Sequence, residues 1–218
     1  MADVTSSAAD TGRSERPSTA GQRVLGAVLA GGASSRFGAP KGLALLGGRT
    51  LVARVISSLR AVGVPVVLIA NDPAVADQWD PSMPDREPGC GPLGGITTAL
   101  GFAAGEGMNG ALCVACDMPL VSPGLLRLIL AVADRSPAQI VVPESDGRRG
   151  FEPLCAYYPV EVLSEAETAR APHQLVERFP TRRIPLTSIR SVGEPESLFF
   201  NVNTSDDLTR AERIAHSA

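Results

Sequence analysis

Apolar residues along this chain fall into short solid runs and into helical stripes, and the two alternate. Val24–Ala30 (VLGAVLA) is almost wholly apolar and stops at Gly31-Gly32, the pattern of a buried strand ending in a tight loop. Leu51, Val52, Val55, Ile56, Leu59 and Val62 recur at helical spacing with polar residues between them, which predicts an amphipathic helix over 51–62. Pro65–Ala70 is a second solid run. Gly91–Gly95 reads as a glycine-rich turn ahead of a helix over Ile96–Ala104, and Ala111–Cys116 as another strand. Ser122 is placed to cap a helix across Pro123–Ala133. Ile140–Val142 and Leu154–Tyr157 read as strands. Thr204 then opens a helix to about Ile214, with Asp206 and Asp207 in its first turn.

Nearly all-apolar strands alternating with helices predict an α/β fold in three layers: a mostly parallel sheet with helices on both faces, Rossmann-like. Such sheets bind ligands beyond the carboxyl ends of their strands. The loops after Ala30, Ala70 and Cys116 are therefore expected to line one cleft, and they carry Gly31–Lys41, Asn71–Asp72 and Asp117–Pro119.

Length and composition narrow the picture. The 218 residues suit one domain over 23–218, behind a Ser/Thr/Ala/Asp-rich stretch, 1–22, that reads as a flexible tail without the apolar core of a signal peptide. Lys and Arg number 20 against 23 Asp and Glu, a net charge of −3 with no basic cluster, which argues against a nucleic-acid partner. No apolar run approaches the roughly 20 residues of a membrane span, so no membrane partner is expected. Cys113 and Cys116 have CxxC spacing but lie in an apolar strand, with no second Cys or His pair to complete a zinc set. They read as buried thiols, and the compartment as cytoplasmic.

The first loop carries the most chemistry. Leu29-Ala30-Gly31-Gly32 lets backbone N–H groups approach an anion, and Arg36 and Lys41 add two cations suited to a polyphosphate. The loop matches neither GxxxxGK[ST] nor GxGxxG. Asp117, at the end of a strand, reads either as a cleft carboxylate for Mg²⁺ or as an Asx turn ahead of the next helix. Asn71 is also a common turn residue. Asp85 beside Arg86 reads as a site residue or a surface ion pair, and Asn203 as a ligand contact or a helix cap. Arg148, Arg149 and Glu152 form a second candidate anion-facing group, or a solvated turn.

The stretch LAGGASSRFGAPK (29–41) resembles the LAGGxSxRxGxxK signature of nucleotidyltransferases related to molybdenum cofactor biosynthesis, within the nucleotide-diphospho-sugar transferase group. Asp85 with Gly91-Pro92-Leu93-Gly94-Gly95-Ile96, Cys116-Asp117-Met118-Pro119, Glu152-Pro153-Leu154 and Asn201-Val202-Asn203-Thr204 narrow the resemblance to the molybdenum cofactor guanylyltransferase family. Phe37, Gly94 and Ser205 stand where Met, Ala and Pro are usual, and none of these departures removes a charge. The resemblance implies transfer of GMP from GTP to molybdenum-molybdopterin, with Mg²⁺ and release of pyrophosphate. It implies GTP contacts from Leu29, Ala30, Gly31, Gly32, Lys41, Asn71, Asp85 and Asp117, catalytic roles for Arg36, Lys41 and Asp117, metal binding by Asp117, and pterin contacts from Asn201 and Asn203. Other molybdenum cofactor biosynthesis proteins or acceptor apoenzymes are the further partners it implies. The rival readings are a cytidylyltransferase of the same group using CTP and a catalytically silent nucleotide-binding module. Gly31, where an alanine marks the cytidyl branch, leans toward the larger base.

Overall fold

The computed structural model describes residues 23–31, 40–86, 91–166 and 168–217. Its strands are β1 (Val24–Leu29), β2 (Leu45–Leu46), β3 (Arg49–Thr50), β4 (Val66–Ile69), β5 (Ser82–Met83), β6 (Gly110–Ala115), β7 (Ile140–Pro143), β8 (Cys155–Pro159) and β9 (Thr181–Ile184). The longer helices are α1 (Leu51–Arg60), α3 (Pro92–Gly105), α4 (Pro123–Arg135) and α9 (Ser205–Ser217). Single turns α2 (Pro73–Ala76), α5 (Leu163–Ala166), α7 (Leu186–Ile189) and α8 (Pro195–Leu198), with the short helix α6 (Pro172–Arg178), join the rest. The N-terminal stretch expected as a tail, and Gly32 and Arg36, lie outside the described residues.

Seven strands form one sheet in the order β5-β4-β1-β6-β8-β7-β9, and β2 pairs with β3 in a separate hairpin. Every neighbour contact in the large sheet is parallel except those of β8, which runs against both β6 and β7. The expectation of a mostly parallel sheet therefore holds, with one reversed strand that an apolar run cannot announce, because burial on two faces looks the same in either direction.

Alternation along the strands divides the core in two. Val24 and Val28 join α1 and α4 on one face, through Val55, Leu59, Leu125 and Ile129. Leu25, Ala27 and Leu29 join α3 on the other, through Ile96, Ala99 and Leu100. Cys113 and Cys116, an odd number of positions apart, fall into opposite core layers, and burial pushes both thiols well up. Cys113, Cys116 and Cys155 are free, so the CxxC spacing forms no bond.

Two local expectations are corrected by packing. The glycine-rich segment is not a turn before a helix: α3 already begins at Pro92, with Gly91 at φ 62° as its cap. Proline at the first helical position is pre-set for the helix and lacks only an N–H that would have no helical partner. Gly94 and Gly95 thus sit in the first turn of α3, buried against Asp85 and the Leu29 side chain. The helix expected over 51–62 ends at Arg60, where the chain turns toward Gly63 at φ 81°.

Gly110 shows how tightly the central strands meet. A Cβ there would run into the Tyr158 carbonyl and lie 2.7 Å from the Tyr157 ring. Gly110→Ala is expected to destabilise the protein by about 1–3 kcal/mol, since a packed sheet cannot absorb the extra carbon. Urea unfolding of the variant beside wild type measures this, and an unchanged midpoint would show that β8 can move aside.

Candidate active site

The carboxyl ends of β1, β4 and β6 lie side by side, because Leu29 pairs with Ile69 on one edge and Ala115 on the other. The residues that directly follow them, Ala30-Gly31, Ala70-Asn71 and Cys116-Asp117, therefore start from neighbouring strand ends, as the sequence suggests. The ladder continues one residue beyond the strands: Ala30 N–H donates to the Ile69 carbonyl at 2.8 Å, and Cys116 N–H to the Leu29 carbonyl at 3.0 Å. The chain leaves the sheet at Gly31, which is exposed and where an added Cβ would touch nothing within 4 Å among the described residues.

Between these strand ends and the start of α3 lies a small slot whose walls include Leu29, Ile69, Asn71, Asp85, Gly91 and Pro92. Asp85 is 7% exposed, and its carboxylate accepts from the Thr98 hydroxyl at 3.2 Å. Its own N–H donates to Asn71 Oδ1 at 2.7 Å. The ion pair with Arg86 that the sequence allows is not what holds Asp85, and Asn71 acts as the bracket that fixes it. Thr98 is not among the residues the sequence singles out, because a threonine inside an apolar helix carries no signal until the fold shows what it faces.

The second half of the site forms around β6. Asp117 follows the strand directly, and the following residues run through Pro119 to Ser122, whose hydroxyl accepts from Leu125 N–H and caps α4. The capping role open to Asp117 belongs to Ser122. Lys41 Nζ lies 2.7 Å from Asp117 Oδ2 and donates to Asn203 Oδ1, also at 2.7 Å. Both members of the ion pair are mostly enclosed, with side chains 19% and 22% exposed. The other oxygen, Asp117 Oδ1, is buried and has no hydrogen-bond partner among the described residues. A buried carboxylate oxygen left open is costly unless something occupies it, and a hard divalent cation takes oxygen donors. Among the described residues no group of three or more His, Cys, Asp and Glu could hold a metal ion. A cation at Asp117 would therefore complete its shell with phosphate oxygens and water, which is how Mg²⁺ is usually held at phosphates.

Asn203 reaches this pair through backbone pairing. Val202 N–H donates to the Asp117 carbonyl at 2.8 Å, while the Val202 side chain is fully buried with Leu46, Leu51 and Ala211. The segment thus crosses the end of β6 and lays Asn203 beside Lys41. Thr204 is the cap of α9: its hydroxyl accepts from Asp207 N–H at 3.1 Å, and Asp207 Oδ2 accepts from the N–H groups of Asn203 and Thr204. Asn201 is engaged locally, its Nδ2 donating to the Phe199 carbonyl at 3.0 Å.

The Asn203 N–H, then the Thr204 hydroxyl, hold the Asp207 carboxyl below its ordinary 3.8. With the folded value depressed, the contribution to stability is complete above the unfolded value and is lost as pH falls through the folded one. The melting-temperature gap between wild type and Asp207→Ala is therefore expected to be constant above about pH 5 and to close as the pH drops below about 4. A gap that persists at low pH would assign the effect to shape rather than charge.

Glu152 lies on the same rim, its carboxyl pushed up by burial, pulled down by a hydrogen bond with Ser145, and raised again by the charge of Asp117. Arg148 and Arg149 are exposed on the loop before it.

A glycine-lined slot and a lysine–carboxylate pair with one open oxygen, set at the carboxyl ends of parallel strands, equip a nucleotidyltransferase. Known proteins point the same way. The model of the MobA-like NTP transferase domain matches residues 26–184, and the chain belongs to that family. A molybdenum cofactor guanylyltransferase of Rhizobium leguminosarum is 35% identical over 201 residues, covering 87% of this chain and 92% of that one. A probable molybdenum cofactor guanylyltransferase of Pelotomaculum thermopropionicum is 31% identical, covering 90% and 95%. Among solved structures, molybdopterin-guanine dinucleotide biosynthesis protein A of Archaeoglobus fulgidus superposes with a TM-score of 0.73 at 27% identity, over 89% of this chain and all of that one. The 2-C-methyl-D-erythritol 4-phosphate cytidylyltransferase of Thermus thermophilus shares the fold, with a TM-score of 0.62 at 18% identity, over 87% of this chain and 98% of that one. No helix among the described residues is long and apolar enough to cross a membrane.

Proposed function

We propose that this nucleotidyltransferase transfers GMP from GTP to molybdenum-molybdopterin in the cytoplasm. An oxygen of the pterin's terminal phosphate forms a bond to the α-phosphorus of GTP, the α–β bridging bond breaks, and pyrophosphate leaves with the electron pair. The observation that carries this reading is the Lys41–Asp117–Asn203 cluster with its open, buried Oδ1. Transfer of this kind asks the protein for positioning and charge neutralisation rather than covalent chemistry. Lys41 neutralises the triphosphate, together with Arg36 from the preceding loop, and stabilises the leaving pyrophosphate. Mg²⁺ bound at Asp117 supplies Lewis-acid polarisation of the phosphates.

The base and ribose occupy the slot, contacting Leu29, Ala30, Gly31 and Gly32 through backbone, with Asp85 and its bracket Asn71 setting the polar contacts. Guanine suits this slot because it presents adjacent N1–H and 2-amino donors, and a carboxylate offers two acceptors. The second substrate meets the rim formed by Asn203, Asn201, Glu152 and the loop of Arg148 and Arg149. The names of the relatives support the choice of GTP and of a molybdopterin acceptor.

Pyrophosphate release with molybdenum-loaded molybdopterin, in the presence and absence of Mg²⁺ and with GTP and CTP offered separately, tests the proposal. Turnover with GTP and Mg²⁺ only is the expected result. Turnover with CTP alone would overturn the choice of base, and turnover without any divalent cation would overturn the role given to Asp117.

A further inference from the structure

A cavity of about 840 Å³ is walled by β3, the middle of α1, the segment 119–123, the turn into α8 and the end of α9. None of the residues placed in the nucleotide site lines it. The loop after β6 therefore carries the lysine–carboxylate pair at its start, through Asp117, and borders this second cavity from Pro119 onward.

Two arginines of the lining stand close together. Arg49 is exposed and bends over the first turn of α1, its Nη2 donating to the Ala53 carbonyl at 3.2 Å. Arg54 is half-buried and donates from Nε to the Pro119 carbonyl and from Nη1 to the Leu46 carbonyl, both at 3.3 Å. All three acceptors are neutral. Among the described residues neither guanidinium takes part in an ion pair, and Arg54 Nη2 makes no hydrogen bond. Burial, and then the neighbouring charge of Arg49, hold the Arg54 guanidinium below its ordinary value. Like charges set side by side without a counter-charge repel, and an oxyanion beside both relieves that repulsion.

The rest of the lining agrees in sign and adds a shape. Glu194 also borders the cavity, but it is exposed and pairs with neither arginine. α4 opens onto the cavity at Ser122 and Pro123 with no acid in its first turn, so the end it presents is the positive one. Leu120, Val121, Val192 and Ile214 supply apolar surface that a bare ion would leave unused. The wall is preformed: Arg54 ties down the Pro119 carbonyl, and the Ser58 hydroxyl donates to the Val121 carbonyl at 2.9 Å.

We infer that this cavity is a second ligand site and that it takes a phosphate monoester. Arg49 and Arg54 Nη2 pair with the phosphate oxygens, and the apolar lining covers the organic body of the ester.

Isothermal titration of wild type, Arg49→Gln and Lys41→Met with phenyl phosphate, inorganic phosphate and phenol tests the site. Phenyl phosphate is expected to bind wild type and Lys41→Met alike, and about tenfold more tightly than inorganic phosphate, because the ring buries apolar surface. Arg49→Gln is expected to weaken it about tenfold or more, the loss of one charge-assisted hydrogen bond. Arg49 is exposed and holds a single carbonyl, so this variant is expected to fold, and it decides alone if Lys41→Met does not. Affinity unchanged in folded Arg49→Gln, or lost in folded Lys41→Met, places the anion elsewhere and overturns the inference. So does an absence of measurable binding to wild type. Inorganic phosphate bound as tightly as phenyl phosphate overturns the monoester, and phenol bound as tightly overturns the role of the arginines.

Discussion

Asp117→Asn is expected to fold as wild type does and to release pyrophosphate about a thousandfold more slowly, the upper end of the loss when one group that stabilises charge in the transition state is removed. Asparagine keeps the size of the side chain and an oxygen for Lys41 Nζ, now 2.7 Å from Asp117 Oδ2, so packing around Met118 and Val121 is undisturbed. What changes is the open buried oxygen, which loses its charge and half of the group's acceptor capacity. The measurement has two parts: pyrophosphate release over a range of Mg²⁺, and thermal unfolding with and without the ion. Wild type should melt higher with Mg²⁺ and GTP present than without, and Asp117→Asn should lose that increment. Turnover kept within about tenfold by a folded Asp117→Asn protein would remove the carboxylate from the mechanism.

Lys41→Met is expected to lower kcat/KM for GTP by about a hundredfold or more, because the lysine is the described cation placed against the site carboxylate. Methionine retains much of the stem's volume, so the loss reports charge. Lys41→Arg is expected to rescue little. A planar guanidinium cannot take the place of a compact ammonium set 2.7 Å from two oxygens on different elements, those of Asp117 and Asn203. Stability should also fall in Lys41→Met, since a mostly enclosed carboxylate is left without its cation. Turnover and melting temperature separate the two effects. A variant restored in stability by added salt or GTP but still slow would place the lysine's main role in the reaction, whereas recovery of rate along with stability would make it a structural ion pair.

Several of these features are legible in the amino-acid sequence alone. Solid apolar runs announce β1, β4, β6 and β7, because strands buried on both faces have no polar positions to spare. A helical stripe announces α1, and Ser122 and Thr204 announce α4 and α9 as caps recognisable from their own chemistry. The edge elements are not legible. β5 has two residues, and β9 reads Thr-Arg-Arg-Ile with its middle residues exposed, so neither carries an apolar signature. The start of α3 is hidden because glycines at 94 and 95 argue for a turn locally. They are helical here because Asp85 and Leu29 press against them, which only distant segments can dictate.

The candidate site divides along the same line. The residue types suited to phosphate and cation, Lys41 and Asp117, are set by the sequence, since a lysine after a glycine-rich stretch and an aspartate after an apolar run can be read from their own chemistry. Their meeting is decided by tertiary structure. Lys41, Asp117 and Asn203 come from three distant parts of the chain, joined by parallel strand register and by the pairing of Val202 with the Asp117 carbonyl. The same is true of Asp85, which meets Asn71 and Thr98 from outside its own segment. Chemistry resides in single side chains and can be read one residue at a time. Distance and burial arise from contacts between residues far apart in the chain, and those exist only once the sheet has formed.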